Sequence, residues 1–226
     1  FIPFCYSIVT FASLRPYEFI RNGPVLHRLP VRIVGMGGGF DYGPQGTTHH
    51  GLEDLAVMRV QPGMTVVAPA DHEQLVCALR STWDFPGPIY YRLGKDDTLT
   101  IPGLEGRFEL GRAQQLREGA DCALVATGPV VVEAVGAADA APVEDLAGVL
   151  ARVPVALTVE AHYVVGGLGS LVAEIAAERG LGCRVLRCGV RRMPDGLSGS
   201  QAYLHRTHGL ASEALVETVL RALGAG

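Results

Sequence analysis

The chain has 226 residues and a mass of 23.9 kDa, with 48% hydrophobic residues, 19% charged residues and a formal net charge of −4 at pH 7. This composition can bury a core, which excludes wholesale disorder, and the acidic balance argues against a nucleic-acid-binding surface. The longest apolar run, Cys122 to Val135, contains Glu133 and is too short to cross a bilayer, so no membrane span is predicted.

In the first part of the chain, apolar β-branched runs alternate with helical patterns. The predicted strands are 1–9, which reads as buried, 31–36, 64–70 and 87–94. The predicted helices are 10–22, 52–60 and 71–83, with Asp71 as the N-cap of the last. Such an order predicts a parallel sheet with helices on both faces.

A second strand–helix series follows a polar stretch, 95–120, that Gly and Pro interrupt. Its predicted strands are 122–128, 155–162 and 183–190, and its predicted helices start at 129 and span 164–180, 201–208 and 211–223. We therefore predict two α/β domains, 1–100 and 121–226, joined by a linker over 101–120. Residues 136–145 have no β-branched run where a further strand is expected, so either that strand is absent or part of the natural chain is missing from the sequence.

The cysteines show neither a C-x-x-C motif nor a zinc-like spacing with histidine. We predict buried structural thiols in a reducing cytoplasm. The five are Cys5, Cys77, Cys122, Cys183 and Cys188. The sequence has no signal-peptide pattern and begins at Phe1 within an apolar run, as a fragment would.

The loop over 37–51 is the strongest candidate for a site. Three glycines follow a predicted strand, and ligands in open α/β sheets bind at the carboxyl ends of the strands. Thr47, Thr48, His49 and His50 precede a helix, whose N-terminus favours anions. Adjacent histidines rarely face one point, so we expect one to face the site and the other to support it. The alternative is a pair of surface or helix-capping histidines, and no third ligand lies near enough to favour zinc.

Three further features carry polar or glycine residues at strand ends. Arg92 ends a strand where a guanidinium could hold a phosphate, although a surface or ion-paired arginine is the alternative. Glu160 and His162 could be buried polar groups at a domain interface. The glycines of 166–169 do not form a dinucleotide fingerprint, and we expect them to pack a helix start against a strand.

Taken together, these segments resemble the C-terminal half of transketolase, which is a pyrimidine-binding domain followed by the transketolase C-terminal domain. The resemblance covers nearly the whole chain except 136–145 and implies an α/β fold of two three-layer αβα domains with mostly parallel sheets. The segments that carry it are YSIVTFASLRPYEFIRN from Tyr6, GTTHHGLEDLAVMRVQPGMTVVAPAD from Gly46, GPIYYRLGK from Gly87, ALVATGPVV from Ala123, LTVEAHYVVGGLGS from Leu157 and GSQAYLHRTHGL from Gly199.

The resemblance implies a cofactor and a set of site residues. Transketolases bind thiamine diphosphate between the pyrimidine domain of one protomer and the diphosphate-binding domain of another. Phe11 matches the aromatic residue that stacks on the aminopyrimidine, with Ile8 and Leu14 at the flanking positions. His49 matches the active-site histidine near the thiazolium and the substrate oxygen. Arg92 matches the arginine that binds the substrate phosphate.

Some family features are not matched by this sequence. The glutamate that drives ylide formation precedes the Phe11 strand, and the diphosphate and Mg²⁺ site lies in the N-terminal half of the family. We therefore expect the chain to be inactive alone, either as a piece of a full transketolase or as the second subunit of a split one. Gln45 stands where the family commonly has an aspartate that reads a sugar hydroxyl, and Gly37 where some members have a phosphate-binding histidine. Both differences put ordinary pentose-phosphate substrates in doubt.

The expected activity is transfer of a two-carbon ketol unit from a ketose or ketose phosphate to an aldose. The expected assembly is a cytoplasmic heterotetramer with an N-terminal subunit that mainly holds thiamine diphosphate and Mg²⁺. We expect another chain to cover the loop over 37–51, since Phe40 and Tyr42 would otherwise be exposed. The alternatives are a related thiamine enzyme, such as a deoxyxylulose-phosphate synthase or a 2-oxoacid dehydrogenase β subunit, and a non-catalytic subunit that binds a partner.

Overall fold

Two parallel β-sheets, each with helices on both faces, form the chain over residues 1–138, 146–192, 194 and 196–224, which the computed structural model describes. The strands are β1 (Phe4–Ile8), β2 (Arg32–Met36), β3 (Thr65–Val67), β4 (Ile89–Leu93), β5 (Cys122–Ala126), β6 (Val155–Tyr163) and β7 (Arg184–Val190). The α-helices are α1 (Val9–Ser13), α2 (Tyr17–Ile20), α3 (Asp54–Arg59), α4 (His72–Thr82), α5 (Val131–Ala137), α6 (Leu146–Leu150), α7 (Leu168–Glu178), α8 (Gln201–Thr207) and α9 (Ser212–Leu223). A π-helical turn spans Arg21–Val25 and a 3₁₀ turn spans Gly43–Gln45.

The first sheet has the strand order β1-β2-β4-β3, and every neighbouring pair is parallel. Successive strand residues point to opposite faces. Ile33 and the Tyr90 opposite it pack with α1, α2 and α3, whereas Val34 and Tyr91 pack with α4. Both faces are therefore buried, which confirms the predicted three-layer arrangement.

The second sheet has the order β5-β6-β7, again all parallel. Leu157 and Val159 of β6 pack with α5 and α9, and Ala156 packs with α6 and α7 on the other face. A further strand was expected between β5 and β6, where 136–145 have no β-branched run. The structure does not test its absence, because 139–145 lie outside the described residues.

Two predictions for the start of the chain are wrong. The strand predicted over 1–9 is not buried, because β1 lies at the edge of its sheet, and Phe4 and Tyr6 are 49% and 61% exposed. The helix predicted over 10–22 is broken between Ser13 and Tyr17. Pro16 has no N–H to continue the helical hydrogen bonds, and α2 starts directly after it.

The segment between the sheets packs on both of them. Ile101 and Leu104 are 3% and 2% exposed and cluster with Ala70 and Val131. The predicted N-cap Asp71 is confirmed, since one carboxylate oxygen accepts from the Gln74 amide at 2.8 Å. Its other oxygen accepts from the Ile101 amide at 2.9 Å, which joins this segment to α4. The domain boundaries remain a prediction.

The cysteines are less uniform than predicted. Cys183 is buried and Cys122 and Cys188 are half-buried, but Cys5 and Cys77 are exposed, because they lie on the edge strand β1 and on the outer side of α4. Burial raises the pKa of the Cys122 thiol to about 11. None of the helices in the described residues has the length and apolar character needed to cross a bilayer.

Candidate active site

The loop over 37–51, called the site loop below, is fixed at both ends. The amides of Gly37 and Gly38 donate to the Leu93 carbonyl at the end of β4, at 2.8 and 3.0 Å. Gly39 and Gly51 then exchange two backbone hydrogen bonds of 2.8 and 2.9 Å in an antiparallel bridge. Gly39 has a φ of +69°, and a Cβ there would lie 2.6 Å from Ala161 Cβ, so only glycine fits without strain.

The site loop brings His49 next to Phe11. Their ring centroids are 5.2 Å apart with an interplanar angle of 66°. Phe11 lies in α1, directly after β1, and both side chains are half-buried. Thr48 Oγ1 lies 2.9 Å from His49 Nδ1, which orients the imidazole. The predicted pair of site residues thus meets at the carboxyl edge of the first sheet.

Two cations flank this pair, and sequence reasoning missed both. The Arg15 guanidinium lies 3.9 Å from the centroid of the Phe11 ring, and Lys95 Nζ lies 4.4 Å from that of Tyr42. Tyr42 in turn lies 6.2 Å from His49, measured between ring centroids. Lys95 is exposed and is the first cation beyond the carboxyl end of β4, a position that could have identified it from the sequence.

His50 faces the interior and supports the loop, which confirms the predicted division between the two histidines. Its side chain is buried, and Nε2 donates to the Gly43 carbonyl over 3.3 Å. The ring contacts Phe40 edge-on at 5.1 Å. Burial lowers the pKa of His50, and neighbouring His49 acts in the same direction. Phe40, which we expected to be exposed unless another chain covered it, is 0% exposed and is covered by this chain itself.

Arg92 lies beneath the site loop and is an ion-paired residue. It is 1% exposed, and Nε donates to Asp54 at 2.9 Å. One terminal nitrogen donates to the carbonyls of Gly51 and Ala161 at 2.8 and 2.9 Å. Burial opposes the charge, but the Asp54 carboxylate outweighs it and raises the pKa of Arg92. The guanidinium points inward in this structure, so its contact with a substrate phosphate stays a prediction.

Asp54 also accepts from the Tyr90 hydroxyl at 2.8 Å. Burial, together with the negative charge of Asp54, raises the pKa of Tyr90 well above its ordinary value. Asp54, Tyr90 and Arg92 thus form a buried polar cluster that connects α3, β4 and the base of the site loop. The Asp54 carboxylate thus holds the Arg92 guanidinium in place.

Glu160 and His162 are buried at the domain interface, as predicted. Glu160 accepts from the amides of Leu168 and Gly169 at 2.7 and 2.8 Å and so caps α7. A Cβ on Gly167 would clash with this carboxylate, which confirms that the glycines pack a helix start against a strand. His162 Nδ1 donates to the Tyr163 carbonyl at 2.7 Å.

His162 Nε2 accepts from the Ala56 amide at 3.3 Å. This hydrogen bond joins β6 to the first turn of α3, the helix that directly follows the site loop. A carbonyl can only accept and an amide can only donate, so the two contacts of His162 assign the proton to Nδ1.

The remaining predicted residues lie around this edge of the sheet. Ile8 is half-buried at the end of β1, and Leu14 is 39% exposed after α1. Gln45 is exposed at the end of the 3₁₀ turn, and Gly37 has a φ of +78° with the Tyr42 ring where its side chain would be. Among the described residues, no group of three or more His, Cys, Asp or Glu side chains could hold a metal ion.

Comparisons with known proteins find similar sequences over nearly the whole chain. Residues 1–99 match the family model of the transketolase pyrimidine-binding domain. A transketolase C-terminal section from Methanocaldococcus jannaschii is 33% identical over 236 residues, which are 97% of this chain and 74% of that protein. A 6-deoxy-6-sulfo-D-fructose transketolase subunit from Clostridium sp. is 33% identical over 95% of this chain and 72% of its own length. A 1-deoxy-D-xylulose-5-phosphate synthase from Syntrophotalea carbinolica is also 33% identical, but the match covers 35% of that enzyme.

Solved transketolase structures are also similar to this chain. A split-gene transketolase described as an inactive beta4 tetramer superposes with a TM-score of 0.83 at 33% identity, covering 99% of this chain and 76% of that one. The Pichia stipitis transketolase complex with sedoheptulose 7-phosphate has a TM-score of 0.75 at 21% identity and covers 98% of this chain and 34% of that one, which supports the fold alone.

Proposed function

The chain belongs to the transketolase family, and we propose that it is the C-terminal subunit of a split, thiamine-diphosphate-dependent transketolase. The observation that carries the proposal is the contact between Phe11 and His49 at the carboxyl edge of the first sheet. The reaction would transfer a two-carbon ketol unit from a ketose or ketose phosphate to an aldose. The differences at Gln45 and Gly37 leave room for a sugar other than an ordinary pentose phosphate.

The residues around Phe11 fit the aminopyrimidine of the cofactor. The Phe11 ring is half-buried, and the aliphatic Ile8 and Leu14 lie three residues before and after it in the chain. The planar guanidinium of Arg15 already lies against this ring at 3.9 Å, so a flat group has access to it. Thiamine diphosphate, when bound, would supply the carbanion chemistry. The diphosphate and Mg²⁺ would be held mainly by the N-terminal partner subunit.

His49 is the proposed catalytic residue. Thr48 engages Nδ1 and so leaves Nε2 as the ring nitrogen available to substrate. We assign to Nε2 a hydrogen bond to a substrate oxygen and the transfer of a proton there. Gln45 in the site loop and Lys95 beside it are the proposed contacts for a sugar hydroxyl and an anionic group, since both side chains are exposed. Arg92 would act through the loop base at Gly51, in addition to the phosphate contact that the family implies.

The proposed assembly is a heterotetramer of two such chains and two diphosphate-binding subunits. It is supported by the names of the relatives, which include transketolase subunits and a C-terminal section. The exposed side chains of Phe4, Tyr6 and Phe19 provide apolar area for such contacts. The proposed compartment is the cytoplasm, where free thiols stay reduced.

A second candidate function is that of a deoxyxylulose-phosphate synthase, which the 33% identity to the Syntrophotalea carbinolica enzyme favours. A donor screen on the co-purified pair of subunits separates the two. Ketose turnover supports the transketolase, and pyruvate turnover supports the alternative. No turnover with any donor, despite stable assembly and bound cofactor, would leave the non-catalytic subunit as the remaining function.

Variants of the assembled enzyme test the site itself. Phe11→Ala should weaken cofactor binding by a few-fold to about tenfold, since an aromatic stack is worth about 0.5–1.5 kcal/mol. His49→Ala should lower kcat by about 100- to 1,000-fold, the loss expected for one donor to a developing oxyanion. The exposed His27→Ala is the matched control. A kcat for His49→Ala within a few-fold of wild type would remove its catalytic role.

A further inference from the structure

The helix α8 and the turn before it, residues 199–208, contact the site loop directly. The Gly199 amide donates to the Gly43 carbonyl at 3.3 Å. A Cβ on Gly43 would clash with the Gly199 carbonyl and would lie 2.8 Å from Leu204 Cδ1. The two backbones are therefore in van der Waals contact, with no space for a side chain between them.

Aromatic contacts extend this interface. Phe40, at the start of the site loop, stacks on His208 with ring centroids 5.2 Å apart and an interplanar angle of 12°. His205 contacts the same ring at 6.2 Å and lies 3.5 Å from Glu133 of α5. Phe40 also packs with Leu204 and with Val190 of β7. Residues of the second domain thus help to bury a large apolar side chain of the site loop.

A polar side chain of α8 also reaches the site loop. Gln201 donates a hydrogen bond from Nε2 to Asp41 Oδ1. Asp41 Oδ2 accepts from the Lys95 amide at 2.8 Å. Burial raises the pKa of Asp41, and the hydrogen bond from the Lys95 amide acts in the opposite direction.

A series of backbone hydrogen bonds leads from the contact between α8 and the site loop to His49. The Gln45 amide donates to the Tyr42 carbonyl at 3.0 Å, the Gly46 amide to that of Gly43 at 3.1 Å, and the His49 amide to that of Gly46 at 3.0 Å. Gly43 is held by Gly199, and Asp41 by Gln201. A displacement at α8 would therefore reach His49 through consecutive tight turns.

We propose that Gln201 is a positioning residue and that α8 of the second domain sets the conformation of the site loop and thereby the place of His49. The proposal rests on the proposed function only in taking His49 as a site residue. The second domain would then contribute to the site by docking its helix against the loop, without touching substrate or cofactor.

Hydrogen exchange of the chain over residues 1–226, followed by NMR, tests this proposal. In Gln201→Glu, a second carboxylate faces Asp41, and the amides of Gly46 and His49 should exchange about ten- to a hundredfold faster, as for loss of a hydrogen bond to a charged group. The matched control is Ala202→Glu, which adds the same charge to the same turn of α8 at an exposed position. This control should change the same rates by less than about twofold.

A swapped pair separates positioning from general destabilisation. When Asp41→Asn is combined with Gln201→Glu, the side-chain carbonyl introduced at position 41 can accept from the Lys95 amide, and the introduced NH₂ group can donate to the new carboxylate on α8. The hydrogen bond is restored with reversed polarity, so the exchange rates of Gly46 and His49 should return to within about threefold of wild type.

Three results would overturn the proposal. They are equal effects of Gln201→Glu and Ala202→Glu, failure of the swapped pair to restore exchange, and a uniform acceleration that includes the amides of β4 and β6. Exchange is measured without cofactor or partner, so these results leave the proposed function standing. Conversely, a failed donor screen with the expected exchange pattern would contradict the proposed function alone.

Discussion

Replacing Arg92 by Met removes a buried guanidinium and keeps a flexible apolar stem of similar length. The arginine donates to Asp54, Gly51 and Ala161 at 2.8–2.9 Å, and both members of its ion pair have side chains at most 2% exposed. Its removal leaves the Asp54 carboxylate buried beside the Tyr90 hydroxyl, without the compensating charge. Breaking a buried pair in this way costs about 3–5 kcal/mol of unfolding free energy.

Urea unfolding followed by the fluorescence of Trp83, the single tryptophan, measures this cost in the first domain. Asp54→Asn should be similarly destabilising, and the double variant should lose clearly less than the sum, because the two side chains share one interaction. The control is Arg221→Met in α9, whose ion pair with Glu217 has both side chains over 70% exposed. Such a surface pair contributes under about 1 kcal/mol.

A loss of under about 1 kcal/mol in Arg92→Met, equal to that of the surface control, would contradict the expected cost of breaking the buried pair. Additive losses in the double variant would also contradict it, since independent sites add and coupled ones do not. Either outcome would mean that the cluster beneath the site loop is solvated in solution and that its charge does not hold the loop base.

Three further predictions concern stability and thiol chemistry. Glu160→Gln should lower the unfolding free energy by about 1–2 kcal/mol in urea, because the carboxylate caps two amides of α7. Burial, partly offset by Glu133, lowers the pKa of His205, so the unfolded state binds the proton more readily. Stability should therefore fall as the pH drops below about 6.5. His205→Gln should reduce this acid-induced loss, measured by thermal melts at pH 5.5 and 7.5. In the isolated chain, Cys5 and Cys77 should react with a thiol reagent within minutes and the other cysteines far more slowly.

Matched variants decide each of these outcomes. Glu178→Gln, an exposed position at the other end of α7, should change stability by only a few tenths of a kcal/mol. The exposed His27→Gln should leave the pH dependence of melting unchanged, and an equal effect of both histidine variants would contradict the role of burial. Rapid labelling of Cys183, detected by mass spectrometry of peptides, would contradict its burial.

The predictions that succeeded depend on local patterns. Alternation along the second strand places Ile33 and Val34 on opposite faces of the sheet. Asp71 directly precedes the apolar pattern of its helix, where an N-cap residue is expected. The neighbouring His49 and His50 differ in burial: His49 is half-buried beside Phe11, and His50 is buried against Phe40.

The features that escaped prediction depend on partners distant in the chain. Arg92 lies near the end of β4 and Lys95 follows that end, and the position of Asp54 explains why the arginine turns inward. We expected another chain to cover Phe40, because nothing near it in the sequence indicates that His208 stacks on it. The break at Pro16 was readable from the residue itself, but the apolar periodicity on either side suggested one helix.

The bridge between Gly39 and Gly51 divides the site loop into a tightly packed base and a tip with exposed side chains. At the base, side chains of Val9 and Ala161 leave no room for a Cβ on either glycine. At the tip, the side chains of Pro44 and Gln45 are exposed. Under the proposed function, changes at these two exposed positions would alter which sugar is accepted while the base of the site loop keeps its packing, so substrate range would change through a few residues at one place.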